Sequence, residues 1–201
     1  VVRMTRALRP ENINWPFVEN ELGEQIAANK LELLTKLNGI EHENAHDAMS
    51  DVDGLIDVAK LLREKQPQIF DYLLKIRSKA EVQKLVNLEN PQPFVYTSGR
   101  FDAKYEKTVV AFPIAPATNR NVIIWDTRFD PTDFLQLSAS ELAAKLFATW
   151  EERQAEGFVP VPAKVLKYNK CPAVAPFGVL NDENKQPLDF DEAKIKKHIK
   201  T

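Results

Sequence analysis

The residue types with the greatest chemical capacity are gathered in one stretch, Asn38-Gly39-Ile40-Glu41-His42-Glu43-Asn44-Ala45-His46-Asp47-Ala48-Met49-Ser50-Asp51-Val52, in which His46 precedes Asp51 by five positions. An aspartate and a neutral imidazole are the groups that metal-assisted phosphodiester hydrolysis uses. Carboxylates hold two cations about 3.5 to 4 Å apart, and a base takes a proton from the water that attacks phosphorus in line. Five residues of ideal helix amount to a rise of about 7.5 Å and a turn of about 140°, so the two side chains do not touch. That suits a ligand and a base approaching one phosphate from different sides, with His46 at the frayed helix entry. Asp51 has Ala48 and Leu55 as its i−3 and i+4 neighbours, which sets it at the rim of an apolar stripe, where a cation would offset the cost of desolvating it. A plainer arrangement fits the same residues: Asn44 or Asp47 caps the helix, and His46 and Asp51 face solvent.

Other side chains offer less. Trp125, Trp150, Tyr105 and Phe101 have faces on which bases can stack, although aromatics in a small β domain more commonly fill its core. Lys164, Lys167 and Lys170 recur every three residues and would track phosphates or simply face water. The lone Cys171 excludes an internal disulfide and a multi-thiolate zinc site, fits a reducing compartment, and is expected to be a small buried hydrophobe.

The elements that must position these groups fall into two regimes. Arg3, Arg6 and Arg9 at spacing three, with Val2, Met4 and Leu8 between, predict the last turns of a helix ended by Pro10, so that the chain reads as starting mid-helix. The loop composition of residues 11–23 leaves Trp15 and Phe17 as anchors onto the core. Lys30–Leu37 is a short helix closed by Asn38-Gly39. The clearest helix places Ala45, Ala48, Met49, Val52, Leu55, Ile56, Ala59 and Leu62 on one stripe facing a core and ends near Lys65. A further helical stretch runs from Gln68 to Leu85. From Pro91 the pattern changes to short β-branched runs at 94–96, 108–112, 121–125 and 159–168, the strands of a small antiparallel barrel or sheet. A helix over 138–153, capped by Ser138 or Ser140 with Leu142, Leu146 and Trp150 on its stripe, interrupts them. Acid at Asp189–Glu192 followed by Lys194, Lys196, Lys197 and Lys200 complements a final helix dipole. The change of regime near residues 67 to 90 marks a domain boundary.

Composition bounds the rest. The chain has 201 residues, 44% hydrophobic and 28% charged, with a formal charge of −2. No apolar run is long enough to span a bilayer, no signal core precedes a cleavage site, and neither half is a basic block, so any surface for nucleic acid must be local.

The segment Asn-Gly-Ile-Glu-His, then Asn-Ala-His-Asp-Ala-Met, then Asp-Val resembles the third exonuclease motif of the bacterial exodeoxyribonuclease I family, within the DEDD superfamily. Ala7-Leu8-Arg9-Pro10-Glu11, Ile13-Asn14-Trp15-Pro16, Phe70-Asp71-Tyr72-Leu73, Asn119-Arg120-Asn121 and Asn169-Lys170-Cys171-Pro172 extend the resemblance over nearly the whole chain. It implies an α+β fold: residues 1–66 as the C-terminal helical part of an RNase H-like exonuclease domain, and residues 67–201 as an SH3-like antiparallel β domain with helices. In that family a helical extension helps to enclose the strand. It further implies a cytoplasmic 3′→5′ exonuclease acting on single-stranded DNA, with His46 as general base and Asp51 as a ligand to one of two Mg²⁺ ions. Arg9 and Tyr72 resemble the family's site for the acidic C-terminal tail of single-strand-binding protein, an Arg fork for a carboxylate and an aromatic wall for an apolar side chain. The family's first two motifs lie upstream of Val1, so the chain alone is expected to be inactive. Another DEDD nuclease is the nearest alternative, argued against by the β-rich region. A non-catalytic module that binds single strands or the acidic tail is the alternative from a different class.

Overall fold

A computed structural model describes residues 1–41 and 47–201. Its first helix, α1 (Val2–Leu8), buries Met4, Ala7 and Leu8 on one face and ends where Arg9 leaves helical geometry ahead of Pro10. The segment read as loop folds into an antiparallel hairpin, β1 (Phe17–Glu19) and β2 (Gln25–Ala27), with Val18 opposite Ile26. The Asn20 side chain accepts from the amides of Leu22 and Glu24, and Gly23 takes the left-handed conformation (φ 77°) that the turn needs. Phe17 is not a core anchor: it is exposed and lies over the Arg6 guanidinium, 4.5 Å from ring centroid to Cζ.

Helices α2 (Leu31–Leu37) and α3 (Ala48–Lys65) follow, and α3 is capped by Asp47, whose carboxylate accepts from the amides of Met49 and Ser50. The face that α3 buries is Gly54, Val58 and Leu62, packed in a small cluster with Ile13 and Leu34. The expected stripe is therefore displaced, since Met49, Val52, Leu55 and Ile56 are exposed. The helical stretch of 68–85 divides into α4 (Pro67–Lys75) and α5 (Lys79–Leu85) at Ile76, and α5 lies between Ser78 and Val86, where the backbone turns extended. Gln66 both ends α3 and precedes α4, with Pro67 in the first turn, where its missing amide costs nothing.

The sheet is five-stranded and antiparallel throughout, in the order β6-β5-β4-β3-β7: β3 Phe94–Thr97, β4 Thr108–Ala117, β5 Asn121–Asp126, β6 Ala163–Leu166 and β7 Ala173–Pro176. Val95 faces Val110, Tyr96 faces Val174 and Ile124 faces Lys164. The β4–β5 register slips between Pro113 and Ala115, where a proline removes a ladder donor. The run 159–168 yields only four strand residues because Pro160 and Pro162 interrupt its first half. The helix expected over 138–153 is two, α6 (Ala139–Leu146) and α7 (Trp150–Arg153), each opened by its own capping box: Ser138 with Glu141, and Thr149 with Glu152. Trp150, 72% exposed, starts the second helix and shares no buried stripe with Leu142 and Leu146. Two helices close the chain, α8 (Asp182–Leu188) and α9 (Glu192–Lys200), the latter capped by Asp191. The principal core unites Met4, Ala7 and Leu8 of α1, Leu73 and Val82 of α4 and α5, the inner face of the sheet, and Leu188, Phe190 and Ile195 of the C-terminal helices.

Candidate functional site

His46, the proposed base, lies outside the described residues. Asp51 stands in the first turn of α3, half-buried, one turn beyond the Asp47 cap; its amide donates to the Asp47 carbonyl at 2.9 Å. Among the described residues, no three His, Cys, Asp or Glu side chains gather into a group able to hold a metal ion. A two-cation site needs several carboxylates, and no such group closes around Asp51 among the described residues.

Arg9 and Tyr72, separated by most of the N-terminal half, meet the same segment of chain. The Arg9 Nη2 donates to the Val179 carbonyl at 3.1 Å, and the Tyr72 hydroxyl donates to the Val174 carbonyl at 3.0 Å. Both residues are half-buried, and burial pushes the Tyr72 phenol up to about 12. A half-buried fork and a ring edge are thus presented along the stretch that runs from β7 into α8.

A third group assembles at the loop between β3 and β4. Lys164, on β6, holds its ammonium 4.1 Å from the centroid of Phe101, whose ring packs edge-to-face on Tyr96 (5.2 Å between centroids). Burial, and then the neighbouring Arg100 charge, lower the Lys164 ammonium to about 8. The Arg3 guanidinium covers Gly99: a Cβ built there would lie 3.4 Å from Cζ. No described carboxylate pairs with Arg3, Arg100 or Lys164, whereas Arg6 and Arg128 each have an acidic partner. Three cations are thus gathered along residues 99–101, Arg3 at Gly99, Arg100 itself and Lys164 over Phe101, with no acidic partner among the described residues, on a chain whose net charge is slightly negative.

The remaining candidates separate cleanly. Trp125 is core, 7% exposed, donating from Nε1 to the Phe129 carbonyl and packed edge-to-face on Phe134. Tyr105 is covered by Arg128, whose Cζ lies 4.1 Å from its ring. Lys167 and Lys170 face solvent. Cys171 is exposed rather than buried, in the left-handed conformation at φ 44° between Lys170 and Pro172. Sequence reasoning missed Arg3 and Arg100 as partners of Lys164. The repeat of arginine at positions 3, 6 and 9 was the available signal, but only the closure of the 98–107 loop brings Gly99 beneath α1. No helix among the described residues is long and apolar enough to cross a membrane.

Comparison with known proteins gives a consistent picture. A family model described as the exonuclease I SH3-like domain matches residues 77–201. The exodeoxyribonuclease I of Haemophilus influenzae is 39% identical over 193 residues, covering 95% of this chain and 40% of that protein. Escherichia coli exonuclease I in complex with a dA16 oligonucleotide superposes with a TM-score of 0.88 at 37% identity, over 99% of this chain and 42% of that one. An ExoI/SSB-Ct complex superposes with a TM-score of 0.86 at 35% identity, over 99% of this chain and 42% of that one. The chain thus spans about two fifths of the length of the proteins it matches.

Proposed function

The chain belongs to the exonuclease I family, and we propose that it takes part in the 3′→5′ removal of nucleotides from single-stranded DNA by two-metal hydrolysis. In this reading the strand lies along Arg3, Arg100 and Lys164, with Phe101 beneath the ammonium. The observation that carries it is the placement of these three cations along residues 99–101 without an acidic partner among the described residues. His46 is the general base and Asp51 a magnesium ligand, supported by the motif around them and by the place of Asp51 in the first turn of a capped helix. Binding of the acidic tail of single-strand-binding protein is assigned to Arg9 and Tyr72, supported by their meeting on residues 174–179. A cytoplasmic role in DNA repair accompanies this activity.

A second reading, a non-catalytic module for single strands or the acidic tail, is favoured by one observation. Both binding surfaces lie within the described residues, and the carboxylates for a metal site do not. The 201-residue chain is expected to bind labelled oligothymidylate and to release no nucleotides from it in magnesium; release by the purified chain would overturn the assignment of an incomplete metal site. Arg9→Ala is expected to weaken a tail peptide by about tenfold or more, the scale of a charge-assisted fork. Unchanged peptide affinity in that variant removes the tail assignment.

A further inference from the structure

Arg6 is 3% exposed, an unusual place for a guanidinium, and every contact it makes joins separate parts of the chain. Its Nη1 donates to the carbonyls of Pro16 (2.7 Å) and Ala28 (2.6 Å), which flank the hairpin, and its Nε pairs with a Glu106 carboxylate oxygen at 2.9 Å. Glu106 and the residue after it, Lys107, both adopt the left-handed conformation, at φ 51° and 56°. Two consecutive non-glycine residues in that region are strained and persist only where their surroundings over-determine them. Here the loop is closed behind them: Ser98 N donates to the Lys107 carbonyl at 2.9 Å, and Thr108 Oγ1 to the Glu106 carbonyl at 3.0 Å. Arg3, one turn before Arg6 on α1, covers Gly99 of the same loop, and Arg100 and Phe101 follow directly.

We infer that the buried Arg6–Glu106 pair is a positioning device that registers the 98–107 loop against α1, so that Arg3, Arg100 and Lys164 meet one polyanion strand. The inference rests on the strand-binding reading above and adds to it residues that touch no ligand. A buried ion pair gives little net stability relative to apolar residues of similar volume. What the pair supplies is geometry: it is the only side-chain ion pair among the described residues that links α1 to the loop carrying Arg100. Without it the left-handed turn at 106–107 is free to relax, and Arg100 moves away from Arg3 while all three cations are retained.

Charge and positioning make opposite forecasts for Glu106→Gln, which raises the net charge by one. A purely electrostatic role tightens binding of labelled oligothymidylate to the 201-residue chain, whereas loss of register weakens it, by about three- to tenfold. It also makes the salt dependence shallower by about one unit of slope. The double variant Arg6→Met with Glu106→Gln preserves net charge and leaves no unpaired buried charge; circular dichroism and thermal melting establish its fold, and it is expected to bind as weakly as the single variant with the same reduced slope. Parent-like or tighter binding by the double variant overturns the inference. Lys164→Met separates this from the reading beneath it: weakened binding there beside a parent-like double variant sinks the positioning role alone, and parent-like binding by Lys164→Met sinks the strand surface itself.

Discussion

Lys164 is an ammonium held at a disadvantage, and its chemistry gives strand binding a pH signature. Its folded-state value of about 8 lies below the ordinary 10.5, so the charge is present below pH 8 and fades as pH rises through it. The sign follows: the contribution of Lys164 to anion affinity is full at low pH and lost at high pH, and the fold gains by that loss, because the neutral amine is the form burial favours. Affinity for oligothymidylate, measured by anisotropy from pH 7 to 9.5, is expected to fall through about 8 in the parent and to lack that step in Lys164→Met. A bound phosphate moves the step upward. Tyr72 offers a simpler test. Tyr72→Phe removes the donor to the Val174 carbonyl and is expected to cost about 1 kcal/mol in urea unfolding. At this scale the His46 and Asp51 pattern was legible because their spacing lies within one segment. Arg3, Arg100 and Lys164 were not, because α1 and β6 are brought to residues 99–101 only by the fold of the β3–β4 loop and the β5–β6 pairing.

Helix α3 shows how an element can be read correctly in kind and wrongly in orientation. Its period was plain, but alanine and β-branched residues on two adjoining faces left the buried stripe ambiguous, and the buried Gly54 belonged to neither. The Asp47 cap is the more useful prediction. Asp47→Ala is expected to cost about 1 kcal/mol and to speed hydrogen exchange in the first turn, where Asp51 sits. Leu62→Ala, in the small cluster with Ile13 and Leu34, is expected to cost about 2–5 kcal/mol in the same unfolding measurement. The divided helix at α6 and α7 was half legible: Ser138 and Glu141 announced one start, but Thr149 and Glu152 announced another three residues beyond the end of the first, and a continuous stripe overrode that signal. Strand β7, Ala-Val-Ala-Pro, carried a single β-branched residue and did not stand out. Its place is fixed by pairing with β3 rather than by its own composition.

On the scale of the whole molecule, α1, α4 and α5 pack with the sheet whereas α2 and α3 form a smaller cluster with Ile13, so two clusters of unequal size are bridged by α1, by α4 and by the Arg6 contacts. The smaller cluster leaves Leu55, 57% exposed, and Ile56 on the outer side of α3. An apolar stripe of this kind drives association at high concentration. Leu55→Glu combined with Ile56→Lys is expected to lower any sedimentation-measured self-association of the chain while changing stability by less than about 0.5 kcal/mol per site. The five-stranded sheet, for its part, is open at β6 and β7. Each of these outer strands is four residues long; Pro160 and Pro162 precede the first, Pro172 and Pro176 bracket the second, and Lys164 projects from the first. A foreign strand aligning there would find short edges with few amides to accept from. Backbone-to-backbone pairing at these edges is thereby disfavoured, and any self-association of the chain is expected to run through the exposed apolar face of α3 instead.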